Sequence, residues 1–108
     1  MRMLVAAAIL LLGAPAAIAQ AAGYPTAQCS LSDDKSKLLL TVSNSGTGAF
    51  ACSAQCKYTE AGRRALQTFN CTYTLSGGTT NKLACALDGS GPGHFATVQP
   101  TRFVCQPR

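Results

Sequence analysis

The chain has 108 residues, of which 47% are hydrophobic and 12% are charged, and its formal net charge is +5. A chain of this length forms one small domain. One histidine and four acidic residues leave few groups for acid–base catalysis, whereas the six cysteines are unusually many for a chain this short.

Residues 1–19 have the layout of a cleaved secretory signal peptide. Arg2 makes the start positive, residues 4–12 are an unbroken apolar run, and Ala17 and Ala19 are small residues before the cleavage point. The run is about half of the roughly 20 residues that a transmembrane helix needs, so no membrane span is expected. Cleavage two or three residues later is the alternative. Cleavage after residue 19 leaves 89 residues with all six cysteines and a formal charge of +4. The Ala-rich segment is typical of bacterial export, either to the periplasm or to the medium.

Residues 20–36 are predicted to be an N-terminal arm, because they are mostly small and polar, contain proline and end in the turn-like "SLSDDKS". A β-sandwich domain is expected from residue 37 to residue 108, where glycine-containing turn signals recur about every ten residues. The predicted strands, in chain order, are 37–43, 49–59, 65–75, 81–88, 95–98 and 101–105.

Period-two alternation gives these strands one apolar face that also carries the cysteines. The side chains predicted to face the core are Leu38, Leu40, Val42, Phe50, Cys52, Ala54, Cys56, Tyr58, Phe69, Cys71, Tyr73, Leu75, Leu83, Cys85, Leu87, Phe103 and Cys105. No window shows convincing 3.6-residue periodicity. The pattern predicts an all-β fold, a small antiparallel β-sandwich stapled by disulfides.

Six cysteines in a short exported chain predict three disulfides. Cys52 and Cys56 lie about 13 Å apart in an extended strand, and a disulfide needs Cα atoms within about 7 Å. Each must therefore reach a different partner strand. Fifteen pairings are conceivable. Hairpin closure and pairing of the last two strands favour the set Cys29–Cys52, Cys56–Cys71 and Cys85–Cys105.

Metal, redox and hydrolytic chemistry are all disfavoured. Cys52 and Cys56 have the only short cysteine spacing, and zinc ribbons need two such pairs. A C-x-x-C redox motif and a G-x-S-x-G nucleophile motif are both absent from the sequence. We therefore expect no bound metal or cofactor and no enzymatic activity.

His94 is the single histidine, so a Ser-His-Asp triad would have to use it. Its carboxylate partner would be Asp33, Asp34 or Asp88. The sequence around it, "GPGHFA", is typical of a flexible loop, and we expect His94 to be an exposed loop residue. The two neighbouring aspartates are expected to cap and bend a turn.

Lys57, Arg63, Arg64 and Lys82 are predicted to gather near one end of the sheet as a candidate anion-binding group. Ordinary solubility charge is the alternative. A positive surface favours an acidic partner, such as an acidic protein or polysaccharide. Nucleic acid is disfavoured by the export signal and by the lack of a basic stripe with interleaved aromatic residues. The oligomeric state stays open.

The stretches "LLLTVSNSGTGAF" and "CKYTEAGRRALQTFNCTYTLSGG" carry a strand ending before a glycine turn, a strand with an aromatic residue, and a return strand that ends in another glycine turn. This order resembles the immunoglobulin-like β-sandwich modules of exported bacterial proteins. The chain departs from antibody-type domains, since it has no tryptophan and six cysteines instead of two. The resemblance implies a fold and no particular activity.

A small exported, non-enzymatic binding module of the cell envelope is the function that these features favour. A secreted effector or toxin-like protein acting outside the producing cell is the alternative. A small sandwich has open edge strands, to which a strand of another protein can add.

Overall fold

The computed structural model describes residues 25–108, which form seven β-strands and no helix. The strands are β1 (Pro25–Leu31), β2 (Lys37–Asn44), β3 (Phe50–Glu60), β4 (Gln67–Leu75), β5 (Thr79–Asp88), β6 (Phe95–Val98) and β7 (Arg102–Pro107). The predicted signal peptide lies outside the described residues. Within them, no helix is long and apolar enough to cross a bilayer.

The strands form two antiparallel sheets. The first has the order β1–β2–β5. In the second sheet β3 is central, with β4 on one side and both β6 and β7 on the other. The short β6 pairs with the last residues of β3, and β7 pairs with its first half. The predicted all-β, disulfide-stapled antiparallel sandwich is confirmed.

The core lies between the sheets and consists of alternate side chains, as the period-two pattern predicts. Leu38 and Leu40 of β2 are 0% exposed, and Leu75 of β4 is 1% exposed. Phe95 of β6 closes one end, where its ring meets that of Tyr58 edge-on at a centroid distance of 5.4 Å. Four of the eleven buried hydrophobic residues are cysteines, so sulfur makes up a large part of this interior.

Part of the predicted N-terminal arm is a strand of the sandwich. Residues 25–31 pair along their whole length with β2, from Pro25 opposite Asn44 to Leu31 opposite Leu38. Within the described residues, the sandwich therefore starts at Pro25 and not at residue 37. The strand was missed because its inward positions carry small side chains, which give a weak alternation signal.

Leu83 was predicted to face the core, and this is wrong: the residue is 52% exposed. The register of β5 against β2 steps from Cys85 opposite Leu40 to Leu83 opposite Thr41. Ala84 is the extra residue of a β-bulge, which turns the preceding side chain to the other face of the sheet. Cys85 keeps its predicted position against the core.

Three disulfides join all six cysteines. Cys29–Cys56 links β1 to β3, and Cys71–Cys85 links β4 to β5, so both connect the two sheets. Their Cα–Cα distances are 5.9 and 6.3 Å, respectively. Cys52–Cys105 links β3 to β7 within one sheet, with a Cα–Cα distance of 4.1 Å.

The predicted pairing Cys29–Cys52, Cys56–Cys71 and Cys85–Cys105 is therefore wrong in all three bonds. In the β3–β4 hairpin Cys56 lies opposite Phe69 and Cys71 opposite Ala54, so the two cysteines are not cross-strand neighbours. The prediction that Cys52 and Cys56 reach different strands is confirmed.

A tryptic digest of the unreduced protein distinguishes the two pairings. Cleavage after lysine and arginine places Cys52 and Cys56 on one peptide, residues 38–57. The structure predicts two separate adducts. One joins that peptide to the peptides carrying Cys29 and Cys105, and the other joins the peptides carrying Cys71 and Cys85. An adduct that joins the 38–57 peptide to the peptides carrying Cys29 and Cys71, with a second adduct joining the peptides carrying Cys85 and Cys105, would contradict this connectivity and support the pairing predicted from the sequence.

Candidate functional site at the edge of strand β7

The four basic residues predicted to gather at one end of the sheet do not all do so. Arg63 and Arg64 lie in the turn between β3 and β4, and Lys57 lies three residues before the end of β3. Lys82 is six residues before the end of β5, which is about 20 Å along the strand. It therefore lies towards the opposite end of the sandwich, and the four residues do not form one surface.

Three loops close the end of the sandwich where β3 and β5 finish. They span residues 32–36, 61–66 and 89–94. Backbone hydrogen bonds join them: Phe95 N–H donates to Lys35 C=O at 3.0 Å, and Ala61 N–H donates to His94 C=O at 2.9 Å. We call this the closed end.

All four acidic residues of the chain lie at the closed end. Asp88 accepts a 2.7 Å hydrogen bond from the Lys37 ammonium. Asp34 caps its turn, as predicted, because its Oδ1 accepts hydrogen bonds from Ser36 N–H at 3.0 Å and Ser36 Oγ at 2.6 Å. These bonds favour the ionised form and lower the pKa of Asp34.

His94 is not the exposed loop residue that was predicted, since its side chain is only 24% exposed. Its Nδ1 accepts the N–H of Ser90 at 3.1 Å, so the ring proton is on Nε2, which lies 2.8 Å from Glu60 Oε2. A Cβ added at Gly89 would lie 2.5 Å from His94 Cγ, so only glycine fits beside the ring. The carboxylate partner is Glu60 and none of the three aspartates.

The arrangement Ser90–His94–Glu60 superficially matches a hydrolase triad, with Ser90 Oγ 3.0 Å from His94 Nδ1. The Nδ1 lone pair that would take the hydroxyl proton already accepts a backbone N–H from the same serine. Glu60 Oε1 also accepts a 3.1 Å hydrogen bond from Arg63. The geometry therefore serves to hold the 89–94 loop against the end of β3. Among residues 25–108, no group of three or more His, Cys, Asp or Glu side chains is placed to hold a metal ion.

Strand β7, in contrast, has a free edge. Its only partner among the described strands is β3. Cys105 faces Cys52 at a Cα–Cα distance of 4.1 Å, which is the narrow, non-hydrogen-bonded pair of an antiparallel ladder. The N–H and C=O groups of Phe103 and Cys105 must therefore point away from β3. No strand within residues 25–108 pairs with them.

A cleft of about 480 Å³ lies beside this edge, between β7 and the start of β1. It is lined by Pro25, Phe50, Phe103, Cys105 and Pro107. Phe103 lies opposite Ala54, an inward-facing residue of β3, yet it is 37% exposed. The cleft is apolar, and two of its lining residues, Phe103 and Cys105, are the ones whose backbone groups point away from β3.

The other edge next to the cleft is blocked. Pro25 of β1 has no N–H, and the N–H of Cys29 donates to Thr101 Oγ1 at 2.6 Å. On the far side of the sandwich, the Cys71–Cys85 bond holds β5 close to β4, so the space between the sheets is bridged there. Strand β7 is thus the edge that combines free hydrogen-bonding groups with an apolar cleft.

Comparisons of the chain with protein-family models, with curated proteins and with solved structures found no match. The functional interpretation therefore depends on the geometry of the residues themselves. The β7 edge was not predicted, although the sequence contains one signal for it. Val104 is apolar at an outward-facing position of the last strand and is 70% exposed.

The closed end is expected to make the protein sensitive to acid. Hydrogen bonds from Arg63 and His94 lower the pKa of Glu60. A lowered pKa stabilises the fold above the unfolded value of about 4.3, and this contribution is lost as the pH falls through the folded value. The urea midpoint should therefore fall between about pH 5 and pH 3, and it should fall less in E60Q.

The matched control is D33N, which removes an exposed carboxylate from the same end of the sandwich. It should retain the acid dependence of the unmodified protein. Equal losses of stability in E60Q and in the unmodified protein would show that Glu60 does not fix the closed end.

Proposed function

We propose that this protein is a small exported binding module of the cell envelope, without enzymatic activity, and that it binds another macromolecule at the β7 edge. The observation that carries the proposal is that the unpaired edge of β7 lies beside exposed apolar side chains. Unpaired edges attract other strands, so natural proteins usually cover or blunt them. An edge left open beside an apolar cleft is therefore best explained as a binding surface.

The distribution of exposed apolar residues supports this location. Four large hydrophobic side chains are exposed among the described residues, and two of them, Phe103 and Val104, are neighbours on β7. Leu66 and Leu83 lie singly elsewhere, which is common on protein surfaces and needs no explanation. Phe103 lines the cleft and Val104, as the next residue of the strand, points to the opposite face, so apolar side chains are exposed on both faces of the β7 edge.

The disulfides support an extracytoplasmic location. Three disulfides are typical of proteins in oxidising compartments outside the cytosol. The pattern of residues 1–19 favours export through a signal peptide, to the periplasm or the medium. The arrangement of two antiparallel sheets is compatible with the proposed kinship to immunoglobulin-like modules.

Photocross-linking in the producing cell tests the proposal. A photoreactive amino acid at Val104 should give a specific adduct with one macromolecule in the fraction where the protein accumulates. The same amino acid at Leu66, which is 47% exposed near the closed end, is the control and should give none. If adducts are absent from Val104 and from further outward positions on both sheets, the protein is not a binding module.

A further inference from the structure

We infer that the β7 edge accepts an extended segment of another protein whose central residues alternate between apolar and polar and whose ends are acidic. The segment adds to the second sheet as a strand beside β7. Its alternate apolar side chains enter the cleft. This inference rests on the proposed binding function and specifies its partner.

The backbone groups determine the length and position of the added strand. Phe103 and Cys105 each present one N–H and one C=O away from β3, which is enough for a short hydrogen-bonded ladder. Pro107 follows them at the next position of the same kind and has no N–H, so the ladder ends there. The ladder thus extends over residues 103–105, and the added segment needs only a few residues in β conformation.

The apolar cleft determines which side chains the added strand can place against the sandwich. A strand paired with β7 lies about 4.8 Å from it, and every second side chain points to the face on which Phe103 and Cys105 lie. These side chains meet Phe50, Phe103 and two prolines, which offer no charged group. Apolar residues at alternate positions fit this surface, and their neighbours on the other face can be polar.

The charges at the two ends of β7 determine which residues suit the ends of the added segment. Arg102 begins β7 and Arg108 follows its end, and neither forms an ion pair within the described residues. Glu60 lies five residues beyond Gln55, the cross-strand partner of Arg102, and thus about 17 Å away along β3. This is about two Debye lengths at physiological salt. The carboxylates of the closed end therefore leave the arginines largely uncompensated.

The same charges exclude two other occupants. Residues 20–24, which precede the cleft in the chain, contain no acidic residue. A second copy has no carboxylate inside a strand, because Glu60 and Asp88 end their strands and already bind Arg63 and Lys37. An acidic polysaccharide would satisfy the arginines but not the backbone ladder or the apolar cleft. An acid-flanked segment of a different protein satisfies all three.

The inference is tested with two synthetic peptides of sequence Glu-Glu-Val-Thr-Val-Thr-Val-Glu-Glu and Lys-Lys-Val-Thr-Val-Thr-Val-Lys-Lys. At physiological salt, the acidic peptide should bind about tenfold more tightly. When the acidic peptide saturates the protein, it should slow hydrogen exchange at the amides of Phe103 and Cys105, as measured by NMR. The amides of Thr72 and Thr74, at the β4 edge, should be unaffected.

Two matched variants locate the charge effect. R102E/R108E should abolish the preference for the acidic peptide. K57E/R64E changes the net charge by the same amount at the other end and should keep the preference. Because the peptide comparison and the exchange measurement use the unmodified protein, the test stands even if one variant fails to fold.

Several results would overturn the inference. Phe103 and Cys105 amides that are already protected in the free monomer would show that the chain's own segment covers the edge. Protection that depends on protein concentration would identify a second copy instead. Peptide binding without protection of these amides, or preferential binding of a uronic acid oligosaccharide, would exclude strand addition. If any of these occurs while Val104 still gives a specific cross-link in cells, the proposed binding function stands and only the partner assignment fails.

Discussion

The spacing of the two sheets depends on the two disulfides that cross between them, Cys29–Cys56 and Cys71–Cys85. A small domain buries a low fraction of its surface, and four of the eleven buried hydrophobic residues here are cysteines. Each disulfide contributes about 2–4 kcal/mol, so the three together are comparable to the whole stability of a typical domain. Strand β3 is bonded through Cys52 and Cys56 to both β7 and β1, and it is therefore the element to which the rest is fixed.

Because disulfides hold the two sheets together, the two ends of the sandwich can be closed in different ways. The closed end is filled by loops that hydrogen-bond to one another and by Phe95. At the other end, Asn44 is 0% exposed, and its side-chain amide donates to Gly48 C=O at 2.8 Å and to Ser76 C=O at 3.3 Å, which ties the β2–β3 turn to the β4–β5 turn. On the β1–β7 side, Arg108 N–H donates to Ala49 C=O at 3.0 Å, and the cleft lies next to them, lined by Phe50 and Pro107.

The sequence allowed the strands and most inward-facing residues to be predicted, because alternation is a local property of each strand. Leu83 was the exception, since a bulge at Ala84 changes the phase without any glycine or proline to mark it. The disulfide pairing failed for a different reason. It assumed that cysteines on neighbouring strands of a hairpin bond each other, whereas two of the three bonds join inward-facing cysteines of different sheets.

The candidate site also depends on a non-local fact, which is the order of the strands. Nothing in "TRFVCQPR" shows that β7 pairs with β3 alone, and nothing near Lys82 shows that its strand runs in the other sheet. The contact between His94 and Glu60 joins residues 34 positions apart through the same arrangement. Only the closed-end turn around Asp34 was predictable in detail, because its hydrogen bonds stay within a few residues of the chain.

A binding edge must accept its partner and must also avoid pairing with copies of its own chain. The charges and the proline of β7 serve both requirements. Arg102 and Arg108 give every copy the same charge at the same edge, so two copies that align there repel each other. Pro107 shortens the region that can pair, as prolines do on natural edge strands. Under the proposed function, the charges that oppose self-association also favour an acidic partner. Under the same proposal, this single pair of arginines both protects the edge and selects its ligand.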